Sequence, residues 1–388
     1  MFYYLRDGDP EIDGMMESVC RTGGSTRCIS DMRWRFIDYP ETAERAAQSL
    51  KHAKHQPRSR NTRALKTKLY SVQYNWFRRL FERDPEAVAV AWNGLTGTRR
   101  AFMSAAKDAG IPHLYMERAP LPGRVTVDEV GVNEENGLPR EIGFYRDWAD
   151  RENGHGDGWR LLKDLLTARK AARRTDVGQA AAAADLSAQP FVFCPLQVPD
   201  DTQLKMFGGW VKNVTRFIDL LELAAEALPE GWHLRFKEHP SSRIPLTEYL
   251  ENAAAAQPGK IVIDNATDTF QQVAASRAVI TLNSSVGLQS FWYDKPVLVL
   301  GRCFFRIPEL VTPIDSTTHL FRTFRDIEMV RYDPAARDVF MNYLDRVYYP
   351  KITRDGGVGV EPDLVLPKIL RAEAMRGAPR GAQALARA

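Results

Sequence analysis

Four polar segments, each following an apolar run, carry residue types that can hold an anion or attack an electrophilic carbon. In Leu234-Arg235-Phe236-Lys237-Glu238-His239-Pro240 a strand pattern gives way at once to Lys, His and Pro. Pro240 fixes its own φ and keeps His239 in extended geometry, so the imidazole is presented rigidly at the strand's carboxyl end. A ring N–H there can bind a phosphate oxygen, although a lone histidine is more often a packing or surface residue. In Thr281-Leu282-Asn283-Ser284-Ser285-Val286-Gly287 a buried-strand pattern runs into hydroxyl residues and a short helix. Free N–H groups at a helix start, with two hydroxyls, make an anion site, and the same residues are favoured N-caps with nothing bound. The third segment, Pro195-Leu196-Gln197-Val198-Pro199-Asp200-Asp201, sets an amide and two carboxylates after another strand. A carboxylate there can attack an anomeric carbon, ligate a divalent metal beside a nucleotide diphosphate, or cap the next turn. The fourth, Tyr115-Met116-Glu117-Arg118-Ala119-Pro120, ends a strand in the first half of the chain, with Glu117 expected to face an interdomain cleft. Arg118 matches the geometry of a sugar carboxylate, and Val127 to Asn133 reads as a further polar loop.

These residues act together only if the elements before them bring them to one side of a sheet. The second half alternates short β-rich runs (191–196, 234–237, 260–263, 278–282 and 297–300) with helical segments such as 211–228 and 267–275. That alternation predicts a parallel sheet covered on both faces, which binds ligands at the carboxyl ends of its strands. In the first half, a short strand and helices over 41–54 and 61–83 precede a β-α-β unit of 86–92, 96–109 and 111–116. A basic helix over 160–174 follows, and the Ala-rich stretch 178–190 reads as an interdomain connection. The expected division is an α/β domain over 1–177, a second over 190–330, and C-terminal helices with a basic tail over 331–388.

At 388 residues the chain is too long for one ordinary core and suits two domains. Apolar residues make up 44% and charged residues 26%, a globular balance. No apolar run reaches the ~18 residues that cross a bilayer. The start lacks a basic region followed by an apolar one, so no secretion signal is expected. Cys20, Cys28, Cys194 and Cys303 form no C-x-x-C pair and suit a reducing, cytoplasmic setting. His52 and His55 lack nearby Cys or carboxylate partners and read as a solvated helix face rather than a metal pair. The net charge of +4 is mild, but Arg58, Arg60, Arg63, Lys66, Lys68, Arg78 and Arg79 crowd one stretch, and Lys368, Arg371, Arg376, Arg380 and Arg387 the tail. They read as solvated helix faces or as an attraction to an anionic membrane surface or glycan. No recognition motif accompanies them, so nucleic acid is not an expected partner.

Taken in order, the segments resemble the capsule polysaccharide synthesis family of bacterial β-Kdo transferases, where Kdo is 3-deoxy-manno-oct-2-ulosonic acid. The similar segments are Trp92-Asn93-Gly94, Glu117, Gly131-Val132-Asn133, Gln197 with Asp201, Lys237 to Pro240, Asn283 to Leu288 and Lys295-Pro296-Val297, spanning roughly Glu86 to Arg302. The His-Pro and Ser-Ser elements also resemble those of bacterial sialyltransferases. Glu117 is followed by Arg118-Ala119, where related sequences often carry an acidic residue or glycine.

The resemblance implies two Rossmann-like domains in a GT-B-like arrangement with a central cleft. It also implies a CMP-Kdo donor, a glycan or glycolipid acceptor, no metal and no cofactor beyond the donor itself. On that model Asp201 is the nucleophile of a retaining transfer and Glu117 the acid/base. Gln197 orients the carboxylate or the sugar. Lys237, His239 and Pro240, with Asn283, Ser284 and Ser285, form the donor-phosphate grip. Three alternatives stand beside it: another nucleotide sugar such as CMP-sialic acid, a CDP-alcohol phosphotransferase of the teichoic-acid type, and a non-catalytic polysaccharide-binding or export protein. The Gln197-to-Asp201 segment argues against the phosphotransferase, as does the Leu282-Asn283 that precedes the Ser-Ser pair.

Overall fold

Val88–Trp92 is apolar throughout and buried at every position, and such a run requires cover on both faces. It forms the middle of the first of two large sheets. The structure is a computed structural model and describes residues 1–168, 174–180 and 186–377. Two compact units result, Met1–Pro139 with Leu344–Ala388, and Arg140–Tyr343.

In the first unit, strands β1 (Phe2–Leu5), β2 (Thr26–Ile29), β3 (Val88–Trp92), β4 (His113–Arg118) and β5 (Val125–Asp128) lie in the order β2-β1-β3-β4-β5. All pairs are parallel except β4 with β5. Helices α1 (Pro10–Gly23), α2 (Thr42–Lys51), α3 (Arg60–Arg83) and α4 (Gly97–Asp108) connect the parallel strands. The expected polar loop at Val127 to Asn133 is corrected at its start, because Val125–Asp128 is a buried strand. The Asp128 carboxylate is wholly structural: it accepts from the backbone N–H of Val130, Gly131 and Gly137 and from the Tyr348 hydroxyl at 2.6 Å. Burial pushes its pKa up, against the pull of Lys368. Tyr348 and Lys368 show how the C-terminal residues return to this unit. Val365, Ile369 and Ala372 bury beside Tyr4, Leu114 and Met116 in one core, so 344–377 packs on the first sheet instead of trailing from the second.

The second unit carries β6 (Phe191–Pro195), β7 (His233–Lys237), β8 (Ile261–Ile263), β9 (Ala278–Thr281), β10 (Val297–Val299) and β11 (Thr312–Pro313) in the order β11-β10-β9-β6-β7-β8, every pair parallel. Alternate side chains on β6 serve opposite faces. Val192 and Cys194 join the core of Phe217, Ile218 and Leu250, while Phe191 and Phe193 pack with Phe270 and Val273. The helices are α5 (Ile142–Glu152), α6 (Thr202–Phe207), α7 (Val214–Ala224), α8 (Thr247–Ala256), α9 (Thr269–Ala275), α10 (Ser285–Gln289), α11 (Thr317–Arg325) and α12 (Pro334–Tyr343).

The division between units falls before α5, not in the Ala-rich stretch. Tyr145 meets Phe340 at 4.9 Å and Trp148 meets Tyr343 at 5.2 Å between ring centroids, which fixes α5 to α12. Gly178 N–H donates to the Asn265 carbonyl and Ala180 bridges to Thr267, so the start of that stretch runs beside the sheet's own loop. Residues 181–185 lie outside the described residues. So do 169–173 of the expected basic helix, whose first part is a 3-10 helix over Gly158–Leu165, and Arg380 and Arg387 of the tail. Among the described residues no helix is long and apolar enough to cross a membrane.

Burial also sets an acid limit on the fold. His233, at the start of β7, stacks on Phe191 with ring centroids 5.5 Å apart, and neither of its nitrogens has a hydrogen-bond partner. Burial, with Arg235 nearby, pushes its pKa from 6.5 down to about 4. The folded value lies below the unfolded one, so the unfolded chain binds the extra proton and stability falls as pH drops from 6.5 towards 4. Between pH 7 and pH 5 the wild type is expected to lose about 2 kcal/mol more than His233→Leu, from 1.36 kcal/mol per pK unit. Urea unfolding at the two pH values measures this, and equal losses would remove His233 as the cause.

Candidate functional site

In chain order the six strands of the second sheet run 3-2-1-4-5-6, so the winding reverses between β6 and β9, and ligands of such sheets bind where that reversal opens a crevice at the carboxyl ends. The loops that leave β6 and β9 are joined there. Gln197 Nε2 donates to Asn283 Oδ1 at 2.8 Å, and the Asn283 N–H donates to Gln197 Oε1 at 3.3 Å. Asn283 Nδ2 donates to the Gln203 carbonyl at 3.2 Å. Both side chains are buried. Gln197 therefore braces the two loops. Asp201 belongs to the same assembly: its Oδ1 accepts from the Gln203 N–H at 2.9 Å, capping α6.

Ser284 caps α10 in the same way, accepting from the Val286 N–H at 3.2 Å while its own N–H donates to Thr281 Oγ1 at 3.1 Å. Ser285 is exposed. The turn needs Gly287, because a Cβ there would stand 3.0 Å from Thr281 Cγ2 and 3.4 Å from the Phe305 ring. On the other side of β6, the His-Pro pair follows β7. Pro240 is buried and His239 half-buried. His239 Nδ1 accepts from the Ser241 N–H at 3.1 Å, which leaves the proton of the neutral ring on Nε2.

Lys237 does not join this grip. Its buried ammonium donates to three carbonyls, Gly178 at 2.8 Å, Asn265 at 2.9 Å and Thr267 at 2.7 Å, which uses every donor a lysine has. Burial pushes its pKa down to about 8, against the pull of Asp264 and Asp268. Its role is to tie the loop after β8 to the chain at Gly178. Glu238, between the two residues that the sequence singled out, is the missed one. Its buried carboxylate accepts from Arg174 at 2.9 Å, the Leu246 N–H at 2.7 Å, Thr247 at 2.6 Å and Asn265 Nδ2 at 3.2 Å. Burial alone would raise its pKa, but Arg174, Thr247 and the Leu246 N–H hold it below the usual range.

The first unit has a polar pair of its own at the carboxyl ends of β3 and β4. Asn93 Nδ2 donates to Glu117 Oε2 at 2.8 Å, and the Arg118 N–H donates to Glu117 Oε1 at 3.0 Å. Asn93 is left-handed at φ 63° and Gly94 at φ 71°. A Cβ at Gly94 would press to 2.4 Å on the Tyr115 ring, so this turn accepts little else. Trp92-Asn93-Gly94 thus orients Glu117. The Arg118 guanidinium is turned to Glu11, 3.4 Å away.

Residues 157–341, which contain the whole joined assembly of the second unit, match the model of the family described as capsule polysaccharide biosynthesis protein. The chain is also similar to Protein FixF of Sinorhizobium fredii, at 29% identity over 262 residues, 63% of this chain and 59% of FixF. The capsule polysaccharide modification protein LipB of Neisseria meningitidis is 22% identical over 175 residues, 41% of each chain. The matches thus span 59% of the length of FixF and 41% of LipB. Among solved structures, Thermosulfurimonas dismutans KpsC, a β-Kdo 2,7 transferase, superposes with a TM-score of 0.50 at 12% identity, over 96% of this chain and 99% of that one. The expected fold class holds: the chain is α/β, with two Rossmann-like units of the GT-B type.

Proposed function

We propose that this chain is a glycosyltransferase of capsule or surface polysaccharide synthesis that moves Kdo from CMP-Kdo, with retention, to a glycan or glycolipid acceptor. The observation that carries the reading is the bonded assembly at the winding reversal of the second sheet, where Gln197, Asp201, Asn283 and Ser284 come together beside β7, the strand that His239 follows. With Lys237 committed to backbone carbonyls, these strand ends offer an imidazole N–H, hydroxyls and backbone N–H groups. Such donors suit a monophosphate leaving group better than a diphosphate, since less charge has to be balanced.

In the proposed reaction an Asp201 oxygen bonds to the ketosidic carbon of the donor. The bond from that carbon to the phosphate oxygen breaks, and CMP leaves with the electron pair, met by His239 Nε2–H and the Ser284 and Ser285 hydroxyls. The acceptor oxygen then bonds to the same carbon, its proton passes to Glu117, and Asp201 departs. Asn93 holds Glu117 in place for that step. No divalent metal takes part, so transfer is expected to survive EDTA. The protein works at the inner face of the cytoplasmic membrane.

The test offers CMP-Kdo, CMP-sialic acid, UDP-sugars and CDP-glycerol with acceptor and reads released nucleotide. CMP release from CMP-Kdo alone is expected, and His239→Ala should lower it about 10²-fold and weaken CMP binding. Unchanged CMP binding by His239→Ala would sink the phosphate role. Release of CMP from CDP-glycerol, or binding without turnover, would replace the reading with a phosphotransferase or a binding protein.

A further inference from the structure

From Arg45 to Phe81 the chain carries ten Arg and Lys residues and no Asp or Glu. The later part of that run lies in α3, which behaves as two different helices. Ser59 caps its start in a capping box with Thr62. From Tyr70 onward it buries Tyr70, Tyr74, Phe77 and Phe81 in the first unit. Residues 60–69 bury nothing: Arg60, Arg63 and Lys68 are exposed, and Leu65 is 73% exposed on the same face as Lys68, three residues on.

Beside this half lies an irregular segment with the opposite oddity. Trp34, Phe36 and Ile37 are 67%, 64% and 66% exposed. The Trp34 and Phe36 rings stack with centroids 6.3 Å apart, and Lys68 Nζ stands 5.8 Å from the Phe36 ring, so the aromatic segment and the basic half-helix form one surface. The acids of the segment, Asp31 and Asp38, stand at its ends, and Asp38 accepts from Asn75 Nδ2 at 2.9 Å. Single exposed apolar residues are ordinary, but a contiguous apolar patch rimmed by polar groups marks a contact surface.

We propose that this face docks on an anionic lipid bilayer, with Trp34, Phe36 and Ile37 entering the headgroup region and Arg60, Arg63 and Lys68 contacting lipid phosphates. Stacked aromatics flanked by cations suit the bilayer interface, where one end of the side chain is apolar and the other wet. An acidic glycan would engage the cations but has no use for Ile37 and Leu65, which favours lipid. The inference rests on the peripheral association in the reading above and is independent of its donor chemistry, because none of these residues belongs to the transfer site.

Sedimentation with vesicles of phosphatidylcholine, with and without phosphatidylglycerol, tests it. The wild type should pellet only with the anionic vesicles, and less in high salt. Trp34→Ala/Phe36→Ala and Arg60→Glu/Arg63→Glu/Lys68→Glu should each bind at least tenfold more weakly, with unchanged melting and unchanged transfer to a soluble acceptor. Brominated lipid should quench the emission lost in Trp34→Phe. The proposal is overturned if the wild type ignores anionic vesicles at low salt, or binds neutral ones as well. It is equally overturned if Trp34→Ala/Phe36→Ala binds like the wild type, since attraction of charge alone would then account for the contact. Failure of transfer with intact vesicle binding would count against the donor reading only.

Discussion

Asp201→Asn is expected to abolish sugar transfer while leaving the fold as stable as the wild type. The structure makes that pair of outcomes separable. Asp201 Oδ1 caps α6 through the Gln203 N–H, and asparagine caps a helix as well as aspartate does. The amide oxygen can keep the bond, whereas an amide cannot serve as the anionic nucleophile of a double displacement. Loss of a nucleophile from a group of residues acting as a unit costs at least about 10³-fold in kcat. Asp201→Ala should lose transfer to the same degree and about 1 kcal/mol of stability besides, the usual worth of a cap. The measurements are CMP release with acceptor, urea unfolding, and mass spectrometry of the protein after exposure to donor alone. A sugar adduct should appear on the wild type and not on Asp201→Asn. If Asp201→Asn transfers within tenfold of the wild type, Asp201 is a cap and the nucleophile must be sought elsewhere.

The ambiguity in Asp201 was visible in the sequence, since a carboxylate after a strand and before a helix has both uses. Much of the second sheet was equally legible. Runs such as 234–237 and 278–282 are apolar, short and bounded by turn residues, and they match β7 and β9 within a residue or two. β2 was not legible because its central residues, Arg27 and Cys28, are exposed at a sheet edge and give no apolar signal. Long-range partners were hidden for another reason. Lys237 reads as a phosphate ligand by position alone, and nothing local reveals that carbonyls 28, 30 and 59 residues away take its three protons. The return of 344–377 to the first sheet is of the same kind, decided by which surface Val365 and Ile369 can cover. The strand ends of the site could be read because they are set by local pattern. The commitments of Lys237 and Glu238 could not, because they are set by the rest of the fold.

Glu238→Ala is expected to be the most destabilising single change near the site, by about 3–5 kcal/mol. It would strip the buried Arg174 guanidinium of one carboxylate, leaving it Asp176 as its ionic partner among the described residues, and would leave the Leu246 N–H and Asn265 Nδ2 without the oxygens they now reach. Removing one member of a buried pair costs more than the pair was worth, because the survivor stays desolvated and uncompensated. Glu238→Gln keeps an acceptor and should fall between Ala and the wild type. CMP affinity should fall as well, because Glu238 precedes His239 and anchors the turn that follows it through Leu246 and Thr247. Replacing both partners, Arg174→Met with Glu238→Met, removes the stranded charge along with the bond. It should recover most of the lost stability, as apolar replacements of buried pairs do. Urea unfolding and CMP titration on the three variants then separate two roles. Recovery of both stability and CMP affinity in the double variant makes Glu238 a positioning residue for His239. Recovery of stability without affinity means that its charge itself acts on the bound nucleotide. A Glu238→Ala protein as stable as the wild type would show that the buried pair does not hold this loop.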